Sequence, residues 1–265
     1  KTKNSRLDLL TITLSLLLPV LSIFGAISLN NGGSGVPAIL VYFYSISLLI
    51  FAYIFSQKLN LNSLIFSVWM IGLALILQGW LRSKYILGPD VSKEFQLFQL
   101  VKNNGKWSID SYRDAYNACL SINILPTYLT HLTKAPDLLV FKFVLPTLYS
   151  LLVPIVFIIS NTLKNRRNSL IAAFFFISQP VFTTWWWIPI RQQIAFLFFG
   201  LIIMLYVKNK GKDLQQQLII ILFCMGMVVS HYSTSYIALA LLVTSLLLKK
   251  VLSKFTPLRQ LDNTK

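Results

Sequence analysis

Eight runs of apolar residues, at about 7–29, 37–57, 63–81, 138–160, 169–187, 191–207, 216–231 and 235–249, dominate this chain. A helix crosses the ~30 Å hydrocarbon core of a bilayer with about 20 apolar residues. The last two runs are shorter than the rest and meet at a tight polar turn. Each run must be helical, because lipid offers no partner to a free backbone N–H or C=O. The composition agrees: 12% of residues are charged and 55% hydrophobic, against about 25% charged in a soluble domain. The missing water-facing surface has to face lipid. The expected fold is all-α, a multi-pass transmembrane helical bundle of about eight spans with short amphipathic helices in a long outer loop.

The net charge of +16 would suggest nucleic acid in a soluble protein, but its placement points to orientation instead. Lys1, Lys3 and Arg6, then Lys58, then Lys164, Arg166 and Arg167, then Lys208, Lys210 and Lys212, then Lys249, Lys250, Lys254 and Arg259 occupy alternate connections. With eight spans these fall on one side, which the positive-inside rule makes cytoplasmic. Both termini are then cytoplasmic, and segment 82–137 is extracytoplasmic. That segment carries five of the eight acids, Asp90, Glu94, Asp110, Asp114 and Asp137; the other three, Asp8, Asp213 and Asp262, lie near the cytoplasmic basic residues. The expected partners include membrane lipids and no nucleic acid. The organisation is three spans in 1–81, an outer segment at 82–137, five spans in 138–250 and a tail at 251–265. The first run lacks a signal-type cleavage site and reads as an anchor. The opening Lys1-Thr2-Lys3 suggests an excerpt of a longer chain. Cys119 and Cys224 read as two free thiols.

Gly88-Pro89-Asp90, after the third run, breaks the helix pattern, and Val91, Phe95, Phe98 and Val101 then recur at helical spacing. Leu97 and Leu100 widen this stripe, and Asn103-Asn104-Gly105 ends it. A second short helix is expected from Tyr112 to Ile124, stopping before Leu125-Pro126. Both are expected to lie on the outer membrane surface, with Trp107 and Tyr112 at headgroup level.

Asp90 and Glu94 are four apart and project from one helical face. Asp90 also meets the positive end of the helix dipole. Such a pair can divide into a base and a partner that orients it or binds an ion. An acid at a helix start is equally an ordinary cap, and Glu94 could be a solvated surface residue. Arg191, after Trp185-Trp186-Trp187-Ile188-Pro189-Ile190, joins the free N–H groups of a helix start to make an anion site suited to phosphate. It could also be a snorkelling interfacial arginine, and the tryptophans an aromatic belt. Ser230-His231-Tyr232-Ser233-Thr234 forms a polar turn whose histidine can donate to phosphate, shuttle a proton or serve the structure. Arg82 and Lys84, near Asp90, could steer a phosphorylated headgroup or anchor their helix. His131 has no acid or arginine beside it and reads as structural. There is no Gly-rich phosphate loop, H-E-x-x-H or Cys-x-x-Cys.

The run Ile86-Leu87-Gly88-Pro89-Asp90-Val91-Ser92-Lys93-Glu94-Phe95, placed just after a span, resembles the GT-C superfamily of membrane glycosyltransferases. More narrowly, the chain looks like a group of archaeal membrane proteins attached to that superfamily. Tyr116 to Thr127, Arg191-Gln192-Gln193-Ile194-Ala195 and Ser230 to Tyr236 carry this likeness. The resemblance implies inverting transfer of a sugar from a polyprenyl-phosphate-linked donor to a glycan or protein acceptor on the outer face. It implies Asp90 as base and Glu94 as a second acid. Arg191 and His231, with Tyr232, Arg82 and Lys84 as further candidates, would face the donor phosphate. Mg²⁺ or Mn²⁺ is compatible with carboxylates beside phosphate, with Asp90 and Glu94 as ligands. A non-catalytic membrane scaffold or assembly subunit is the alternative, followed by a transporter or flippase. The last is disfavoured because no ionisable residue stands near the middle of a span.

Overall fold

A computed structural model describes residues 5–183, 188–209 and 213–255. These residues are helical and contain no strand. The chain runs through α1 (Ser5–Asn30), α2 (Val36–Phe55), α3 (Leu61–Trp80), α4 (Pro89–Asn104), α5 (Leu120–Thr133), α6 (Asp137–Leu163), α7 (Arg166–Ile177), α8 (Pro180–Thr183), α9 (Ile190–Asn209), α10 (Leu214–Ser230) and α11 (Tyr232–Phe255). Among the described residues six helices, α1, α2, α3, α6, α9 and α11, are long and apolar enough to cross a membrane. The chain is a helical membrane protein.

The two other expected spans are helical but short. Over the described part of the run at 169–187, the 12-residue helix Arg166–Ile177 ends in a bend at Ser178-Gln179 before Pro180 starts a second helical turn, Pro180–Thr183. Proline has no N–H to continue a ladder but suits a helix start. The run at 216–231 becomes α10, 17 residues long, or about 25 Å at the helical rise.

The central helix is α3. Buried hydroxyls join it to α1 where lipid gives no hydrophobic drive for association. Ser15 Oγ donates to Ser67 Oγ at 2.8 Å, and Ser22 Oγ donates to the Ala74 carbonyl at 2.6 Å. Small residues allow close approach: a Cβ on Gly25 would sit 2.9 Å from the Ala38 nitrogen of α2.

Hydrogen bonds identify the two ends of the bundle. At one end, Asp8 accepts from the Asn60 N–H at 2.7 Å and from the Asn60 amide, and Arg166 donates to the carbonyls of Ser56 and Leu59. Asp8 therefore caps the start of α3 through Asn60. At the other end, Asn30 Nδ2 donates to the Leu81 carbonyl at 2.7 Å. Lys142, buried in α6, donates to the carbonyls of Ser83 and Tyr85 and so holds the loop leading to α4. It sits in a π turn, Val140–Val144, where the Leu145 N–H reaches Val140 O just before Pro146. A proline four residues on leaves the Lys142 carbonyl without its helical donor, and the widened turn absorbs that mismatch.

The two helices of segment 82–137 differ from expectation in two ways. The apolar stripe of α4 packs inward: Phe95 and Phe98 lie 5.0 and 5.3 Å from Phe141 of α6, centroid to centroid. The second helix starts at Leu120 and passes through Pro126, rather than spanning Tyr112 to Ile124. Polar side chains capture the backbone before it. Asp114 Oδ1 accepts from the Tyr116 N–H at 2.8 Å, and Asn117 Nδ2 donates to the carbonyls of Ser108 and Tyr112 at 2.9 Å each. Such local bonds compete with the helical ladder. Trp107, expected at headgroup level, donates its Nε1–H to the Asn117 carbonyl at 3.0 Å.

Candidate functional site

Gly88 turns the chain into α4 with φ 93°, a left-handed value that disfavours any side chain. Pro89 then opens the helix, placing Asp90 in its first turn and Glu94 one turn later. Glu94 falls inside the apolar stripe, between Val91 and Leu97, and is fully buried. A buried acid needs partners, and these come from 96 residues away. The Ile190 N–H at the start of α9 donates to Glu94 Oε2 at 2.7 Å, and Arg191 Nη1 donates to Glu94 Oε1. The helix start at Ile190-Arg191 thus holds the Glu94 carboxylate.

Asp90 is the open member of the pair, its side chain 44% exposed. Its Oδ2 lies 3.4 Å from Arg191 Nη2, and its Oδ1 accepts from the Tyr116 hydroxyl at 2.8 Å. The guanidinium lies over the Tyr116 ring, 3.8 Å from Cζ to centroid, a cation–π contact. Lys93 Nζ stands 4.4 Å from the same centroid and 2.6 Å from Asp114 Oδ2. Arg191, 5% exposed, is thus held by two carboxylates and an aromatic face, while its Nε–H finds no partner among the described residues.

Burial pushes the Glu94 carboxyl up to about 7, against the downward pull of Arg191 and the Ile190 N–H. The same burial raises the Cys119 thiol to about 11, so it is a poor nucleophile at neutral pH. His231 lies in the turn between α10 and α11, within electrostatic reach of Arg191 and Asp90. Burial first, then the Arg191 charge, lower its pKa to about 4, so the ring is neutral. Its Nδ1 faces the Thr234 N–H at 3.3 Å and the Thr234 hydroxyl at 2.8 Å. Nδ1 therefore accepts, and the ring hydrogen sits on Nε2, which makes His231 a neutral donor rather than a cation.

The chain thus gathers Asp90, Glu94 and Arg191 in direct contact, with His231 beside them. Tyr232 is exposed at 42%, its ring 5.4 Å from that of His231. Arg82 and Lys84 are exposed on the loop after α3 and form no ion pair among the described residues. The Trp185-Trp186-Trp187 belt lies outside the described residues. From the sequence, Tyr116 enters only as the first residue of the stretch Tyr116 to Thr127, with no role expected of it at the site.

A protein-held divalent cation does not fit these residues. Among the described residues no three of His, Cys, Asp and Glu converge. A cation bridging Asp90 and Glu94 would have to displace a buried guanidinium. Comparison with family models, with curated proteins and with solved structures finds no match to this chain.

Proposed function

We propose that this chain is a GT-C-type membrane glycosyltransferase that moves a sugar from a polyprenyl-phosphate-linked donor to a glycan or protein acceptor. In this reading α7 with the turn after it, and α10, complete eight spans. The basic end carrying Arg166 and both termini is cytoplasmic, and segment 82–137 is extracytoplasmic. The observation that carries the reading is the convergence of Asp90, Glu94, Arg191 and His231 from three distant parts of the chain. The reaction is an inverting displacement. The acceptor oxygen attacks the anomeric carbon and gives its proton to Asp90, the exposed carboxylate. The bond from that carbon to the phosphate oxygen breaks, and its electron pair leaves with the phosphate. His231 Nε2–H is the donor offered to that oxygen, and the buried Arg191 guanidinium supplies positive charge behind it. Glu94 acts through Arg191 as a positioning residue.

The test is transfer from a labelled polyprenyl-phospho-sugar in membranes holding the full-length protein. Asp90→Asn is expected to lower the rate about 10²- to 10⁴-fold, the usual share of a general base. Unchanged transfer removes Asp90 from the mechanism. One observation favours a second reading, a non-catalytic scaffold or assembly subunit: both Nη atoms of Arg191 are already engaged by carboxylates, as in a structural clamp. In that case charge reversal at Asp90 alters recovery of partner proteins, and no product is lost.

A further inference from the structure

A cavity of about 310 Å³ lies between the C-terminal end of α4 and one face of α5, apart from the Asp90 cluster. Val101 and Ile124 line it with aliphatic surface, Trp107 and Tyr128 with aromatic surface, and Lys106 and His131 bring polar donors. No acid lines it. The shape depends on Gly105, whose φ of 65° ends α4 in a left-handed turn and folds Lys106 and Trp107 back toward α5. The indole is fixed by its bond to the Asn117 carbonyl yet stays 38% exposed.

The surroundings say what kind of ligand belongs here. Tyr128 and Leu132, one turn apart on α5, are 65% and 76% exposed. Leu138 and Leu139, exposed at the start of the membrane-crossing α6, follow Lys134. An exposed apolar stripe edged by lysines at the mouth of a span is the pattern of a membrane interface. The cavity is at the small end of the range for ligand sites, roughly 300–1,000 Å³, so it holds a headgroup but not whole acyl chains.

We propose that this groove binds one anionic phospholipid, its phosphate at Lys106 and His131 and the first part of its chains against Trp107 and Tyr128. The charge of the lining excludes a cationic head, and the apolar floor disfavours free phosphate. This site does not depend on glycosyl transfer, only on segment 82–137 lying at a membrane surface.

The experiment uses the full-length protein in a non-ionic detergent, titrated with phosphatidylglycerol or phosphatidylcholine and read by native mass spectrometry. One phosphatidylglycerol should bind in preference to phosphatidylcholine. Lys106→Ala and His131→Ala should each weaken that binding about tenfold, as expected when one hydrogen bond to a charged phosphate is removed, while phosphatidylcholine binding stays unchanged. Both side chains are exposed, so the variants should fold, and circular dichroism checks this. Trp107→Phe, which keeps an aromatic wall but gives up the bond to Asn117, should weaken binding less. Equal binding of the two lipids, or no change in either single variant, overturns the proposal. Displacement of the lipid by inorganic phosphate at equal concentration would make this a free-phosphate site and also overturn it.

Discussion

Arg191→Met removes the partner of an acid that has no route to water. Glu94 is fully buried and would lose the guanidinium while keeping the backbone N–H groups of residues 190 and 191. Breaking a buried ion pair from one side costs about 3–5 kcal/mol, because a charge is left without compensation. Glu94 has an escape, since its carboxyl already titrates near 7. Without Arg191 the downward pull is gone and the group holds its proton to higher pH. The loss should therefore approach the full range above about pH 8 and shrink toward pH 6. Asp90, half exposed, adds little. The variant Glu94→Gln/Arg191→Met leaves no ionised group to strand and should regain part of the loss, with a coupling of about 1–3 kcal/mol. Reversible unfolding of the purified protein in mixed micelles at pH 6 and pH 8 measures all four corners of the cycle. Costs that add within about 0.5 kcal/mol, the margin expected of independent sites, would refute the clamp.

Three further outcomes rest on other parts of the molecule. Glu94 titrates near 7 against an ordinary 4.5, so its stabilisation is full below 4.5 and lost as pH rises to 7; His231 titrates near 4 against 6.5, so its stabilisation is present above 6.5 and lost as pH falls to 4. Glu94→Gln should leave a midpoint temperature that drops with acid and His231→Asn one that drops with base, and identical profiles would contradict both assignments. Gly25→Ala drives a methyl to 2.9 Å from the backbone nitrogen of Ala38 and should cost about 1–3 kcal/mol in unfolding, the range for overpacking; a neutral effect would show that α1 and α2 can separate. Lys142→Met strips donors from the Ser83 and Tyr85 carbonyls and should speed limited proteolysis within 82–88, leaving cleavage elsewhere unchanged.

Features set by neighbours in sequence were legible in advance. The start of α4 at Gly88-Pro89 and its end at Gly105 needed only local backbone rules. The shortening of the 169–187 run was also written locally, in Gln179-Pro180, but hydropathy averages over a proline and so hides a broken helix. The Tyr112 to Ile124 helix failed because Asp114 and Asn117 spend their side chains on nearby backbone groups. Such bonds depend on where Trp107 and Asn123 end up.

The sequence by itself determined a helical membrane protein with one acid-bearing segment between its apolar runs, because apolar length and the demands of an unsolvated backbone act within each run. It also carried the warning that Glu94 sits in an apolar stripe. Only the tertiary structure decided what that acid does. Its partner lies on α9, and no spacing rule relates residues 94 and 191. The packing of α4 on α6 and α5 carries Glu94 out of water and against the start of α9, and a charge placed there must take the guanidinium as its counter-ion. That division, Glu94 buried and paired and Asp90 left open, separates a positioning residue from a candidate base.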